Sequence, residues 1–160
     1  MGFYGTRTTN SEMKRDKRTR ARELALQALY QLDVQGSELL GHLGVFFSQT
    51  EPDRLTRQLA WDWTKGTWEN LPRCDELIRA STIRWQFSRL SPVDKSILRL
   101  AVYQLQFCPN IPPKVVINEA IELAKKFSTD KSGPFVNGVL DAVLKKLMTR
   151  DEKSESVSGR

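Results

Sequence analysis

The segment that most constrains this chain runs from Pro92 to Phe107. It carries Ile97, Leu98, Leu100, Ala101, Val102, Tyr103 and Leu105 on almost every side, with Arg99 its conspicuous exception. Its start is written in Ser91-Pro92-Val93-Asp94: serine can cap, proline suits the first helical position, and an acid at the third answers both the cap and the macrodipole. A helix apolar on most sides is a central helix, because only other elements can cover it.

The remaining segments supply that cover as helices. Ala21, Leu24, Ala25, Ala28, Leu29 and Leu32 recur at three- and four-residue intervals, predicting an amphipathic helix from Lys17 to a glycine cap at Gly36. Residues 36–52, with Gly36, Gly41, Gly44 and Pro52, read as a loop with one short helix. A helix over Asp53–Trp68 is expected to turn Leu55, Leu59, Trp63, Trp61 and Trp68 inward, and another runs from Cys74 to Ile83 or Phe87, with Trp85 leading on to Ser91. Pro109, Pro112 and Pro113 break the chain before a helix at 114–127, which buries Val116, Ala120, Leu123, Ala124 and Phe127. After a loop at 128–133, Val136, Leu140, Val143, Leu144 and Leu147 form one stripe over 134–148. No stretch alternates like a strand, so the expected class is all-α. The expected division is a disordered basic extension at 1–16, a helical domain at 17–149 and a disordered tail at 150–160.

With 160 residues the chain can bury a core without disulfides or metal. Cys74, Cys108 and the lone His42 have no zinc spacing. No apolar run approaches a membrane span, and MGFYGTRTTN lacks the apolar core of a signal peptide, so a cytoplasmic setting is expected. Glycine-rich phosphate loops, GxSxG and HExxH are all missing, and Asp62, Asp75, Asp94 and Asp141 suit capping or surface charge as well as acid–base chemistry. A non-enzyme without cofactor is expected.

Charge points elsewhere. Residues 1–22 hold seven basic and two acidic side chains, +5 of a net +6. Arg15, Lys17, Arg18, Arg20 and Arg22 sit in KRDKRTRARE, where arginine forks suit phosphate oxygens and can stack on bases; the same charges also suit a solubilising tail. On a helix Arg15, Arg18 and Arg22 share a face. Tyr30 falls on the polar side of that helix, where it can stack on an unpaired base or pack on a neighbour with its hydroxyl wet. Phe135 lies about 120° from the stripe of its helix, at the N-terminus, and can serve as a stacking face beside free N–H groups or as a hydrophobic staple.

The runs RARELALQALYQLDVQG (20–36), LSPVDKSILRLAVYQL (90–105) and VVINEAIELAKKFSTDKSGPFVNGVLDAVL (115–144) resemble the NusB family of bacterial transcription antitermination factors. The resemblance implies two small orthogonal helical bundles of about seven helices sharing one core. It implies binding of single-stranded boxA-type RNA in ribosomal RNA leader transcripts with the ribosomal protein NusE, alongside other Nus factors and RNA polymerase, and allows a homodimer. It assigns RNA contacts to Arg18, Arg20, Arg22, Tyr30 and Phe135 and a NusE-facing position to Asp94. Departures are Thr19 within the arginine run, Lys131 where some relatives carry an acid, and a longer N-terminal extension. Other expectations are an accessory domain like that of ribosomal RNA cytosine methyltransferases, disfavoured because no βαβ pattern occurs up to Arg160, and a pure protein-interaction bundle.

Overall fold

The computed structural model describes residues 9–82 and 87–158, with side chains of the last helix through residue 155. Within them the chain forms seven α-helices: α1 (Asn10–Gln35), α2 (Leu43–Thr50), α3 (Arg54–Glu69), α4 (Leu71–Ser81), α5 (Pro92–Phe107), α6 (Pro113–Phe127) and α7 (Ser132–Ser158). Short 3₁₀ turns occupy Ser37–His42 and Phe87–Arg89, and no strand forms among the described residues. The all-α expectation holds. The positions of residues 1–8, Ile83 and Trp85 lie outside the described residues. No helix among those described is long and apolar enough to cross a membrane.

The apolar central segment is where the periodicity put it. α5 packs against α1, α3, α4, α6 and α7. Ile97, Leu98, Leu100 and Val102 are no more than 1% exposed, each burial being worth about 1.5–3 kcal/mol. α1, α2 and α3 form one group and α4, α6 and α7 the other, both closed on α5 around one contiguous core. At Gly66 in α3 the Tyr103 phenol of α5 lies against the backbone, and a Cβ there would overlap it.

Arg99, the polar exception, is a three-helix tie. Its Nε and Nη2 donate to the two carboxylate oxygens of Asp75 in α4 at 2.8 and 2.9 Å, and its Nη1 donates to Asp33 in α1 at 2.9 Å. Its guanidinium also lies 5.4 Å from the Phe87 ring centroid.

Caps set the helix ends. Ser91 Oγ accepts from the Asp94 N–H at 3.1 Å and Asp53 accepts from the Thr56 N–H at 3.0 Å, while Gly36 ends α1 at φ 98°, a conformation that favours glycine.

Three expectations need correction. The first helix begins at Asn10, ahead of the expected boundary at 17, so residues 10–16 are helical; Thr9 and Glu12 form a reciprocal capping box that starts it. The last helix continues through Ser158, past the expected boundary at 149, since no proline or glycine interrupts residues 139–158. Leu55 is 49% exposed rather than inward. Beside the expected Trp63, α3 buries Thr56, Ala60, Thr64 and Thr67, small side chains that suit close packing, and the Thr67 hydroxyl satisfies itself on the Trp63 carbonyl at 2.6 Å.

Candidate RNA interface

The basic residues of α1 share one helix but occupy different environments. Arg15 and Arg18 are exposed and make no ion pair among the described residues. Lys17 reaches Asp53 at 3.2 Å. Arg20 is held by Glu23 at 3.2 Å and Glu51 at 3.3 Å.

Arg22 is buried, its side chain 3% exposed. Its Nε donates to Gln104 at 3.3 Å, its Nη1 lies 4.0 Å from Glu119, and its guanidinium sits 5.0 Å from the Trp63 ring centroid. Burial lowers its pKa, partly opposed by Glu119. Its guanidinium is enclosed by α3, α5 and α6 and is not presented at the surface, unlike those of Arg15 and Arg18. Thr19, the residue interrupting the arginine run, donates to the same Glu119 at 3.1 Å. The inner end of the arm is thus part of the fold, and its outer end carries the available charge.

The two aromatics picked out by helix phase lie near the start of α5. Tyr30 is 40% exposed and borders a cavity of about 300 Å³ with Leu26, Gln27, Phe46, Val93 and Phe127. Phe135 is half-buried and borders a second cavity of about 280 Å³ with Leu90, Asp94 and Ser132. Val93 lines the first cavity and Asp94 the second, so the first turn of α5 separates them.

Asp94 does more than answer a cap. Its carboxylate accepts from Ser128 at 2.7 Å and from Ser132 at 3.1 Å, fastening the α6–α7 loop to α5. That loop presents Lys131, and the 3₁₀ turn before α5 presents Arg89, both beside Phe135. Neither was a candidate in the sequence, because periodicity describes one helix at a time and these cations stand on separate connections.

Among the described residues no cluster of His, Cys, Asp and Glu could hold a metal ion. Burial, with a further contribution from Asp75, pushes the Cys74 thiol up to about 12, which suits a packed side chain rather than a nucleophile.

The fold and this surface define a class: a helical bundle whose first helix carries cations at its outer end and whose accessible aromatics flank the start of the central helix. The chain belongs to the NusB family, since a family model described as "NusB family" matches residues 19–145. The transcription antitermination protein NusB of Anaeromyxobacter dehalogenans is 47% identical over 128 residues, covering 79% of this chain and 89% of that protein. The protein of the same name from Syntrophus aciditrophicus is 40% identical over 135 residues, 84% of each. Among solved structures, T. maritima NusB superposes with a TM-score of 0.73 at 40% identity, covering 80% of this chain and 90% of that one. A NusB crystallised with NusE and double-stranded RNA superposes with a TM-score of 0.71 at 28% identity, covering 82% and 98%.

Proposed function

We propose that this chain is a non-enzymatic, RNA-binding transcription antitermination factor. It binds boxA-type RNA of ribosomal RNA leader transcripts together with NusE, and supports processive transcription with other Nus factors and RNA polymerase. The observation that carries this reading is the family match over residues 19–145, joined to the likeness to a NusB that was crystallised with NusE and RNA.

In this reading the functional domain is the family-matched region, residues 19–145, extended back along α1 to Asn10. Arg15 and Arg18 meet phosphates directly, while Lys17 and Arg20 do so by giving up Asp53, Glu23 and Glu51. Tyr30 and Phe135 offer stacking faces, which suits bases that are unpaired and splayed. Asp94 belongs to the surface that meets NusE.

The test is a titration of labelled boxA-type RNA and a scrambled control, with and without NusE, across a salt series. Weak binding alone and tighter, sequence-preferring binding with NusE is the expected outcome. Equal affinity for both RNAs in every condition would sink the boxA reading. NusE binding without RNA affinity at any salt would favour a protein-interaction bundle.

A further inference from the structure

We propose that the α2–α3 loop is a built-in inhibitor of the basic helix. Its carboxylates, Glu51 and Asp53, occupy Arg20 and Lys17 in place of RNA phosphates and lower the affinity of the free protein for RNA. This rests on the RNA-binding reading above and adds to it a part of the fold that opposes binding.

The loop, residues 51–53, lies against α1. Asp53 Oδ1 is 3.2 Å from Lys17 Nζ, and Glu51 Oε2 accepts from Arg20 Nε at 3.3 Å. Glu23, one turn further along α1, accepts from Arg20 Nη1 at 3.2 Å and from Lys126 Nζ at 2.8 Å. Arg20 is therefore held between the loop and its own helix. Arg15 and Arg18 are exposed on that helix and make no ion pair among the described residues. The basic arm thus divides into an open pair and a pair covered by acids.

Both loop carboxylates are fixed by contacts other than these cations. Asp53 Oδ2 accepts from the Thr56 N–H at 3.0 Å and the Thr56 hydroxyl at 2.8 Å, and Glu51 Oε1 accepts from the Asp53 N–H at 3.1 Å. Arg57 pins the loop from the other side, its Nη1 donating to the Glu51 and Pro52 carbonyls at 2.9 and 2.7 Å. Each acid keeps one oxygen on the loop and turns the second to a cation of α1. Anionic oxygens already set at hydrogen-bonding distance are what a phosphate has to displace.

Exposure decides how firmly each contact is shut. The Lys17 and Asp53 side chains are 40% and 36% exposed, so a phosphate can reach Lys17 and take the place of Asp53. Glu23 and Glu51 are only 13% and 14% exposed. Moving Arg20 away leaves both short of a partner where water reaches them poorly, so Lys17 opens first.

The experiment is a double-mutant cycle on the full chain, read by fluorescence anisotropy with labelled boxA-type RNA and a scrambled control. Asp53→Asn removes the charge and keeps an oxygen for Thr56, and Glu51→Gln keeps one for the Asp53 N–H. Asp53→Asn should tighten binding roughly 1.5- to 5-fold, the strength of one exposed ion pair. The scrambled RNA should gain as well, because the loop competes with phosphates and not with bases. Glu51→Gln should give a smaller gain, since Glu23 still holds Arg20. In a Lys17→Ala background the gain from Asp53→Asn should be lost, because no cation remains to be freed. Asp16→Asn neutralises an exposed acid of α1 that makes no ion pair among the described residues. It reports the effect of negative charge alone, and any gain should be the same with and without Lys17. Thermal melts followed by circular dichroism should show every variant folded.

A gain from Asp53→Asn that survives in full without Lys17 is an effect of charge at a distance and overturns the inhibitor. A lowered melting temperature with RNA affinity unchanged marks the contacts as ties of the fold and also overturns it. If Arg18→Ala weakens RNA binding while Asp53→Asn and Glu51→Gln leave it unchanged, the RNA-binding reading stands and only the inhibitor falls. Failure of both the wild type and Asp53→Asn to bind RNA at any salt defeats both.

Discussion

Arg18 and Arg22 stand about one helical turn apart, yet their substitution should have opposite consequences. Arg22→Ala removes a guanidinium packed on Trp63 and leaves Glu119 and Gln104 short of a partner, a loss of about 1–3 kcal/mol of stability visible as a lowered melting temperature. Arg18→Ala removes an exposed charge, so the melting temperature should hold while the salt slope of RNA binding flattens by about 0.7. A matched pair of thermal melts and salt titrations checks both, and equal melting temperatures for the two variants would contradict the assignment. Sequence phase correctly grouped Arg15, Arg18 and Arg22 on one face. It could not show that the face runs under α3 and α6 at Arg22, because that enclosure is made by Trp63 and Glu119 from remote segments.

At the scale of elements, caps were legible and buried faces less so. Ser91-Pro92 and Gly36 marked their boundaries because each acts on the backbone within a few residues. The inward face of α3 did not read out, since Thr56, Thr64 and Thr67 look polar until their hydroxyls are turned to their own helix or into the packing. Its cap makes a prediction in pH. The Thr56 N–H and hydroxyl, with Lys17, hold Asp53 down from 3.8 to about 2. A carboxylate depressed by folding stabilises the native state fully above its unfolded value and loses that contribution as pH falls through the folded value. Stability from this cap should therefore be complete above about pH 4 and decline towards pH 2. Melting temperatures recorded between pH 5 and pH 2 should fall less steeply in Asp53→Asn than in the wild type, and parallel curves would refute the assignment.

At the scale of the whole molecule, Arg99 joins α5 to α4 through Asp75 and to α1 through Asp33. Asp75→Ala strands most of a buried guanidinium, and breaking such a pair costs about 3–5 kcal/mol. Chemical denaturation should report that loss, whereas a change below about 1 kcal/mol would show that Asp33 alone suffices. The helical class, the central place of α5 and the aromatic candidates could all be read from local pattern. The partners of Arg99, the enclosure of Arg22 and the pairing of Arg89 with Lys131 depend on segments brought together only by the fold. One feature of α1 bears on the energetics of assembly: the helix runs unbroken from Asn10 to Gln35, so the outer cations and the core stripe ride on one rigid body. Fixing a disordered backbone costs about 1–2 kcal/mol per residue. Because residues 10–16 are already helical, an RNA strand that docks on Arg15 and Arg18 pays no such cost there, and more of the gain from each phosphate contact appears directly as affinity.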